Sequence, residues 1–137
     1  FFSVGSVVPW ARAGVGAVAT QAWANPTLGR DGLQRLAAGE SPAAALAEML
    51  AADAEAARRQ AGLINSKGDV AAHTGSDCHP FAGHRIGKHF VVQGNLLAGP
   101  EVLLALADTF EKRRAAGDRL APALVAAGLN QDHDLIL

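Results

Sequence analysis

Four of the five histidines and the only cysteine fall between Gln60 and Pro100, among closely spaced glycines at Gly62, Gly68, Gly75, Gly83, Gly87 and Gly94. Such a mixture suits short strands and tight turns that bring polar side chains to one place. His73, His79, His84 and His89 have five, four and four residues between them, with Asp77 and Cys78 nearby. A zinc site would use these residue types, but no C-x-x-C, H-x-x-x-H or H-E-x-x-H spacing occurs in the stretch. Separate histidines are therefore expected, and no metal or other cofactor. Cys78 beside His73 or His84 would make a thiolate pair; a lone cysteine is more often a small buried hydrophobe. Thr74, Gln93 and Asn95 end or follow strands and hydrogen-bond without titrating. Asn95 is a candidate oxyanion donor, its amide N–H placed near a reacting carbonyl, or else the residue that shapes the turn before Pro100. In the first half, Gln21 and Asn25 are polar groups displayed where a strand ends, or parts of an ordinary Asn-Pro turn.

The elements that must position these residues follow from local pattern. Phe1 to Val8 is a small apolar strand ended by Pro9-Trp10, and Gly14 to Thr20 is a second strand of small and β-branched residues. Gly14-x-Gly16-x-x-Ala19 matches the dinucleotide fingerprint, but its glycines begin a strand and do not open a helix. Close approach of a neighbouring layer explains them better. Asp31 to Ala38 is a short helix stopped by Gly39. Ser41-Pro42 opens the next helix, with Leu46, Met49 and Leu50 as its apolar stripe. Ala51 to Arg59 continues as a solvated, charged face. Ala61–Asn65 and Val70–Thr74 form a hairpin across Ser66-Lys67-Gly68-Asp69. Gly75 to Lys88 is a loop and His89–Gln93 a strand. Helices follow over Pro100–Arg114 and Asp118–Ala127, then a polar tail from Asn130 to Asp134. Strands and helices cluster and do not alternate, which predicts an α+β fold over a doubly wound sheet.

The 137 residues suffice for one domain with a core. The formal net charge of −1 points to neither nucleic acid nor an anionic membrane. No apolar run is long enough to span a bilayer, no export leader is visible, and one cysteine makes no internal disulfide. A cytoplasmic location is the default. The chain starts at Phe1-Phe2 and stops on the apolar Leu135-Ile136-Leu137, which reads as a fragment.

Several segments in order resemble one family. Val4-Gly5-Ser6-Val7-Val8-Pro9-Trp10-Ala11-Arg12-Ala13-Gly14-Val15-Gly16-Ala17-Val18-Ala19-Thr20-Gln21-Ala22 is similar to the early region of the DUF1028 family, bacterial proteins of the N-terminal-nucleophile (Ntn) hydrolase superfamily. Arg59-Gln60, Ala72-His73-Thr74-Gly75, Cys78, Ala82-Gly83-His84 and Gln93-Gly94-Asn95-Leu96-Leu97-Ala98-Gly99 resemble its second half. The likeness runs from Phe1 to about Lys112. It implies a four-layer α-β-β-α sandwich with antiparallel sheets, here a single incomplete domain over residues 1–137. It implies an amidohydrolase in which an N-terminal Thr, Ser or Cys attacks the carbonyl and its own α-amine acts as base. A first strand before Phe1, carrying that nucleophile, and further strands after Lys112 belong to the family pattern. Ser3 and Ser6 carry no free α-amine and do not replace it.

The resemblance thus implies a small amide-containing metabolite as substrate, contacted by Gln21, Asn25, His73, Thr74, Cys78, His84, Gln93 and Asn95. Of the histidines, His84 sits in the Ala-Gly-His motif. The expected partners are that small molecule and a second copy of the chain, with no nucleic acid and no membrane. The alternative is a non-catalytic domain that binds a ligand or self-associates.

Overall fold

The computed structural model of the chain describes residues 4–129. After a 3-10 turn at Val4–Ser6, the order is β1 (Pro9–Arg12), β2 (Gly16–Ala22), α1 (Pro26–Ala37) and α2 (Pro42–Ala51). Then come β3 (Arg59–Asn65), β4 (Val70–Thr74), β5 (Gly83–Gly87), β6 (Phe90–Gly94), α3 (Glu101–Ala115) and α4 (Leu120–Leu129). Strands β1-β2-β3-β4 form one antiparallel sheet, and β5-β6 a second. Helices α1 and α2 cover the first sheet, α3 lies on the second, and β6 and β5 face β3 and β4. The molecule is an α+β sandwich with its layers ordered α-β-β-α.

Strand alternation decides what each face does. Across the first sheet, Val18, Leu63 and Ala71 lie in one row. They meet Leu28, Leu36, Leu46 and Met49 of α1 and α2 in one core. The opposite face carries Ala19-Gly62-Ala72 in one row and Gln21-Gln60-Thr74 in the next. In the second sheet, Phe90 and Val92 pack with Leu103, Leu106 and Phe110 of α3 and with Ala123 and Ala127 of α4 in a separate core. Phe90 and Phe110 meet at a tilt, their ring centroids 4.9 Å apart. Gln93 and Val91 point the other way, toward Gly62.

Gly62 lets the two sheets approach. A Cβ there would lie 2.8 Å from Gln93 Oε1 and 3.3 Å from Val91 Cγ1. The β3–β4 turn is closed by Asn65, whose side chain accepts from the N–H groups of Lys67 and Asp69, with Gly68 at φ +88°. The tip of the other hairpin reaches this turn, His89 Nδ1 lying 3.0 Å from the Gly68 carbonyl.

Local chemistry moves several expected boundaries. Pro9-Trp10 begins a strand where the sequence predicts the end of one. The missing proline N–H costs little at the first residue of an edge strand. Helix α1 starts earlier than Asp31, because the Asn25 side chain caps it and Pro26 takes its first position. The charged continuation expected over Ala51–Arg59 is replaced by the end of α2, a 3-10 turn at Ala56–Arg58 and the start of β3. Arg59 is buried, not solvated. The expected loop over Gly75–Lys88 contains β5. Its alternating pattern was hidden because His84 and Arg85, on opposite faces, are both polar. Both Phe1–Ser3 and Asn130–Leu137, including the polar tail and the apolar end, lie outside the described residues.

Candidate functional site

The polar row on the inner face of the first sheet is centred on Gln60, whose side chain is fully buried. Its register places Gln21 on one side and Thr74 on the other. Gln60 Nε2 donates toward the carbonyls of Gly83 at 2.8 Å and Gly94 at 2.9 Å, and toward Thr74 Oγ1 at 3.0 Å. Two N–H bonds are thus shared among three acceptors. The two carbonyls belong to β5 and β6, so this one amide ties both sheets together.

Those carbonyls also fix which way round the amide lies, since the reverse orientation would set oxygen against oxygen. Gln60 Oε1 therefore faces the other way. It accepts from Gln21 Nε2 at 2.7 Å and from Asn95 Nδ2 at 3.3 Å. Each of these neighbouring amides keeps one N–H and its own oxygen for another partner. On the far side, Thr74 Oγ1 lies 2.9 Å from His84 Nδ1. Thr74 already accepts from Gln60, so its own hydroxyl proton is available to the imidazole. Burial, and to a smaller degree the nearby His73, push the His84 pKa below its usual value. The shift favours the uncharged imidazole.

Gln93 completes the seam from above. It is buried, and its Nε2 reaches the Ala19 carbonyl at 3.4 Å. Its Oε1 has no hydrogen-bond partner among the described residues and rests against the Gly62 backbone.

Five of the eight expected residues thus lie along one seam: Gln21, Thr74, His84, Gln93 and Asn95. Three lie elsewhere. Asn25 caps α1, accepting from Thr27 N at 3.0 Å, and its Nδ2 donates to Asp53 at 3.1 Å. His73 is on the other face of β4 from Thr74, opposite Ala61, with Nε2 2.9 Å from the Ala56 carbonyl. Cys78 is buried with Sγ 3.4 Å from the Arg59 carbonyl, and burial raises its pKa. Its sulfur bonds a backbone carbonyl, and burial favours the uncharged thiol over the thiolate. No group of three or more His, Cys, Asp and Glu that could hold a metal ion exists among the described residues.

Gln60, which matters most to the geometry, was named in the sequence only as part of a family motif. A polar residue at the head of the apolar run Ala61-Gly62-Leu63 is the available signal. Its neighbour Arg59 points to the opposite face. It holds Asp53 at 2.9 Å and 3.2 Å, Glu55 at 2.8 Å and the Trp23 carbonyl at 2.7 Å. Arg58 stacks 3.8 Å over the Trp23 ring. These arginines brace the strand end and are not free for a substrate anion.

Compared with known families, residues 1–133 match DUF1028, a family of unknown function. The chain belongs to the DUF1028 family. A crystal structure of a DUF1028 protein from Silicibacter pomeroyi superposes with a TM-score of 0.85 at 28% sequence identity. The alignment covers 92% of this chain and 57% of that one. This DUF1028 chain therefore spans little more than half the length of the solved relative. Comparison with curated proteins gave no match. Among the described residues, no helix of this DUF1028 chain is long and apolar enough to cross a membrane.

Proposed function

We propose that the full-length protein is an Ntn-type amidohydrolase acting on a small amide, and that the inter-sheet seam is the part of its site which this chain supplies. The observation that carries the reading is the chain of side-chain amides Gln21–Gln60–Asn95 beside the Thr74–His84 pair. Asn95 keeps one N–H beyond its bond to Gln60, which suits an oxyanion donor. His84, bonded to the Thr74 hydroxyl, suits a proton carrier or a hydrogen-bond donor to a leaving amine. The nucleophile and base in this reading are the N-terminal Thr, Ser or Cys and its α-amine, as the family resemblance implies. The α+β sandwich with its two facing sheets is compatible with that chemistry.

The test is turnover. Full-length protein is incubated with a panel of small carboxamides and ureido compounds, and released ammonia or amine is measured. Activity should vanish when the N-terminal hydroxyl or thiol residue is replaced by Ala, and should fall about a hundredfold in Asn95→Ala. Hydrolysis indifferent to the N-terminal substitution would exclude this mechanism.

A further inference from the structure

We infer that Gln60 and Thr74 are positioning residues for His84: together they fix its ring proton on Nε2, so that His84 meets a reacting group as a hydrogen-bond donor and not as a base. The place of the proton follows from the geometry alone. Its use in turnover rests on the hydrolase reading proposed above.

The carbonyls of Gly83 and Gly94 accept and never donate, so the Gln60 atom 2.8 Å and 2.9 Å from them is the amide nitrogen. That nitrogen carries protons and accepts none. Thr74 Oγ1, 3.0 Å from it, therefore accepts on that side. Among the described residues, the one acceptor bonded to the Thr74 hydroxyl is His84 Nδ1, at 2.9 Å. A ring nitrogen that accepts a hydrogen bond has no proton of its own, so the uncharged His84 ring carries its proton on Nε2. Polarity passes from the backbone of β5 and β6 to an amide on β3, a hydroxyl on β4 and a ring back on β5. Gln60 is fully buried at the start of this relay, and His84 is exposed at its end. The Nε2 edge is thus the one left to an incoming group.

Two other histidines are set by backbone groups directly. His73 Nε2 lies 2.9 Å from the Ala56 carbonyl, and His89 Nδ1 lies 3.0 Å from the Gly68 carbonyl. Each must donate, which makes His73 an Nε2–H ring and His89 an Nδ1–H ring. A hydroxyl both donates and accepts, so Thr74 by itself would leave His84 free to take either form. The amide at position 60 removes that freedom. With Nδ1 bonded to Thr74 and Nε2 protonated, neither ring nitrogen is open to take up a proton. In the hydrolase reading the base is the N-terminal α-amine, and His84 offers an N–H to the carbonyl oxygen or the leaving nitrogen.

Nitrogen NMR of full-length protein labelled at histidine separates the forms, because protonated and unprotonated ring nitrogens have distinct shifts. His73 and His89 are references for the two forms within one spectrum, and His84→Gln assigns the third ring. At about pH 9, above the ordinary histidine range, His84 should match His73, with Nε2 protonated. Thr74→Val should move both of its nitrogen shifts toward the averaged values of free histidine. Thr74→Ser keeps the hydroxyl and should leave them in place. Thr74→Asp only accepts there and should drive the proton onto Nδ1, as in His89. On an amide that the protein hydrolyses, Thr74→Val should lower kcat at least about tenfold with little change in KM, and Thr74→Ser should restore it. An averaged or Nδ1-protonated His84 in unaltered protein, or shifts and kcat unchanged in Thr74→Val, would overturn the inference. If the Thr74 variants fail to fold, the spectrum of unaltered protein decides alone. An Nε2 proton in a protein whose turnover ignores the N-terminal substitution counts against the hydrolase reading and leaves the positioning standing. Turnover that needs the N-terminal residue while His84 averages its two forms does the reverse.

Discussion

Gln60 and Arg59 are adjacent in sequence and take opposite tasks because a strand turns alternate residues to opposite faces. Gln60 serves the gap between sheets, and its loss would strand the carbonyls of Gly83 and Gly94 and the amides of Gln21 and Asn95. Gln60→Leu, of similar volume, should cost about 3 kcal/mol in urea unfolding. Arg59 serves the helix side through Asp53. The Arg59 guanidinium holds the Asp53 carboxyl down to about 2 from an ordinary 3.8, against the upward push of burial. The unfolded chain therefore binds the extra proton first as pH falls. Stability from this pair is fully present above about pH 4 and drains away as pH drops toward 2. Asp53→Asn should flatten that slope and cost about 2 kcal/mol at neutral pH, as read from urea midpoints across pH. Neither residue's task was legible from its own type. Both became so only once the register set Gln60 between Gln21 and Thr74.

At the scale of elements, helix caps and the hairpin turn were readable because their signals are local. Ser41-Pro42, Ser66-Lys67-Gly68-Asp69 and the helix over Glu101–Ala115 stand close to where the sequence puts them. Strand β5 was not, since a five-residue strand with two polar residues in its middle carries no alternation to read. Asn25 had two readings in the sequence, and its cap geometry fits the structural one. Asn25→Ala should lower stability by about 1 kcal/mol, read from the urea midpoint. An unchanged midpoint would show that the cap contributes nothing to stability. Gly29 offers a case where contact opposes propensity. Alanine is the better helix former by about 1 kcal/mol, but a Cβ at Gly29 of α1 would run into the Trp10 ring of β1. Gly29→Ala should be net destabilising, by about 1 kcal/mol, and should alter tryptophan emission as Trp10 shifts.

Across the whole molecule, two apolar cores sit on the outer sides of two sheets whose facing sides mix small, branched and polar residues. The α+β class was legible because strands and helices cluster along the chain. The pairing of the halves was not, since residues as distant as Gln60 and Gly94 meet through backbone groups that no sequence pattern marks. Leu63 is 1% exposed in one core and Leu106 is 0% exposed in the other. Leu63→Ala and Leu106→Ala should each cost about 3 kcal/mol. Both should shift one common unfolding transition, because Gln60 and the His89–Gly68 contact join the layers. Two separate transitions in calorimetry would show that the cores melt independently.

Strand β5 meets β6 with His84 across from Gln93, and the Gly83 carbonyl beside them is held by the amide at position 60. Sliding β5 along by one residue would swing His84 out toward α3 and bring Arg85 inward. It would also pull the Gly83 oxygen away from its donor. The same bond that ties the layers thus keeps a permanent cation out of the space between them, so an error of alignment and an error of charge are resisted by one side chain.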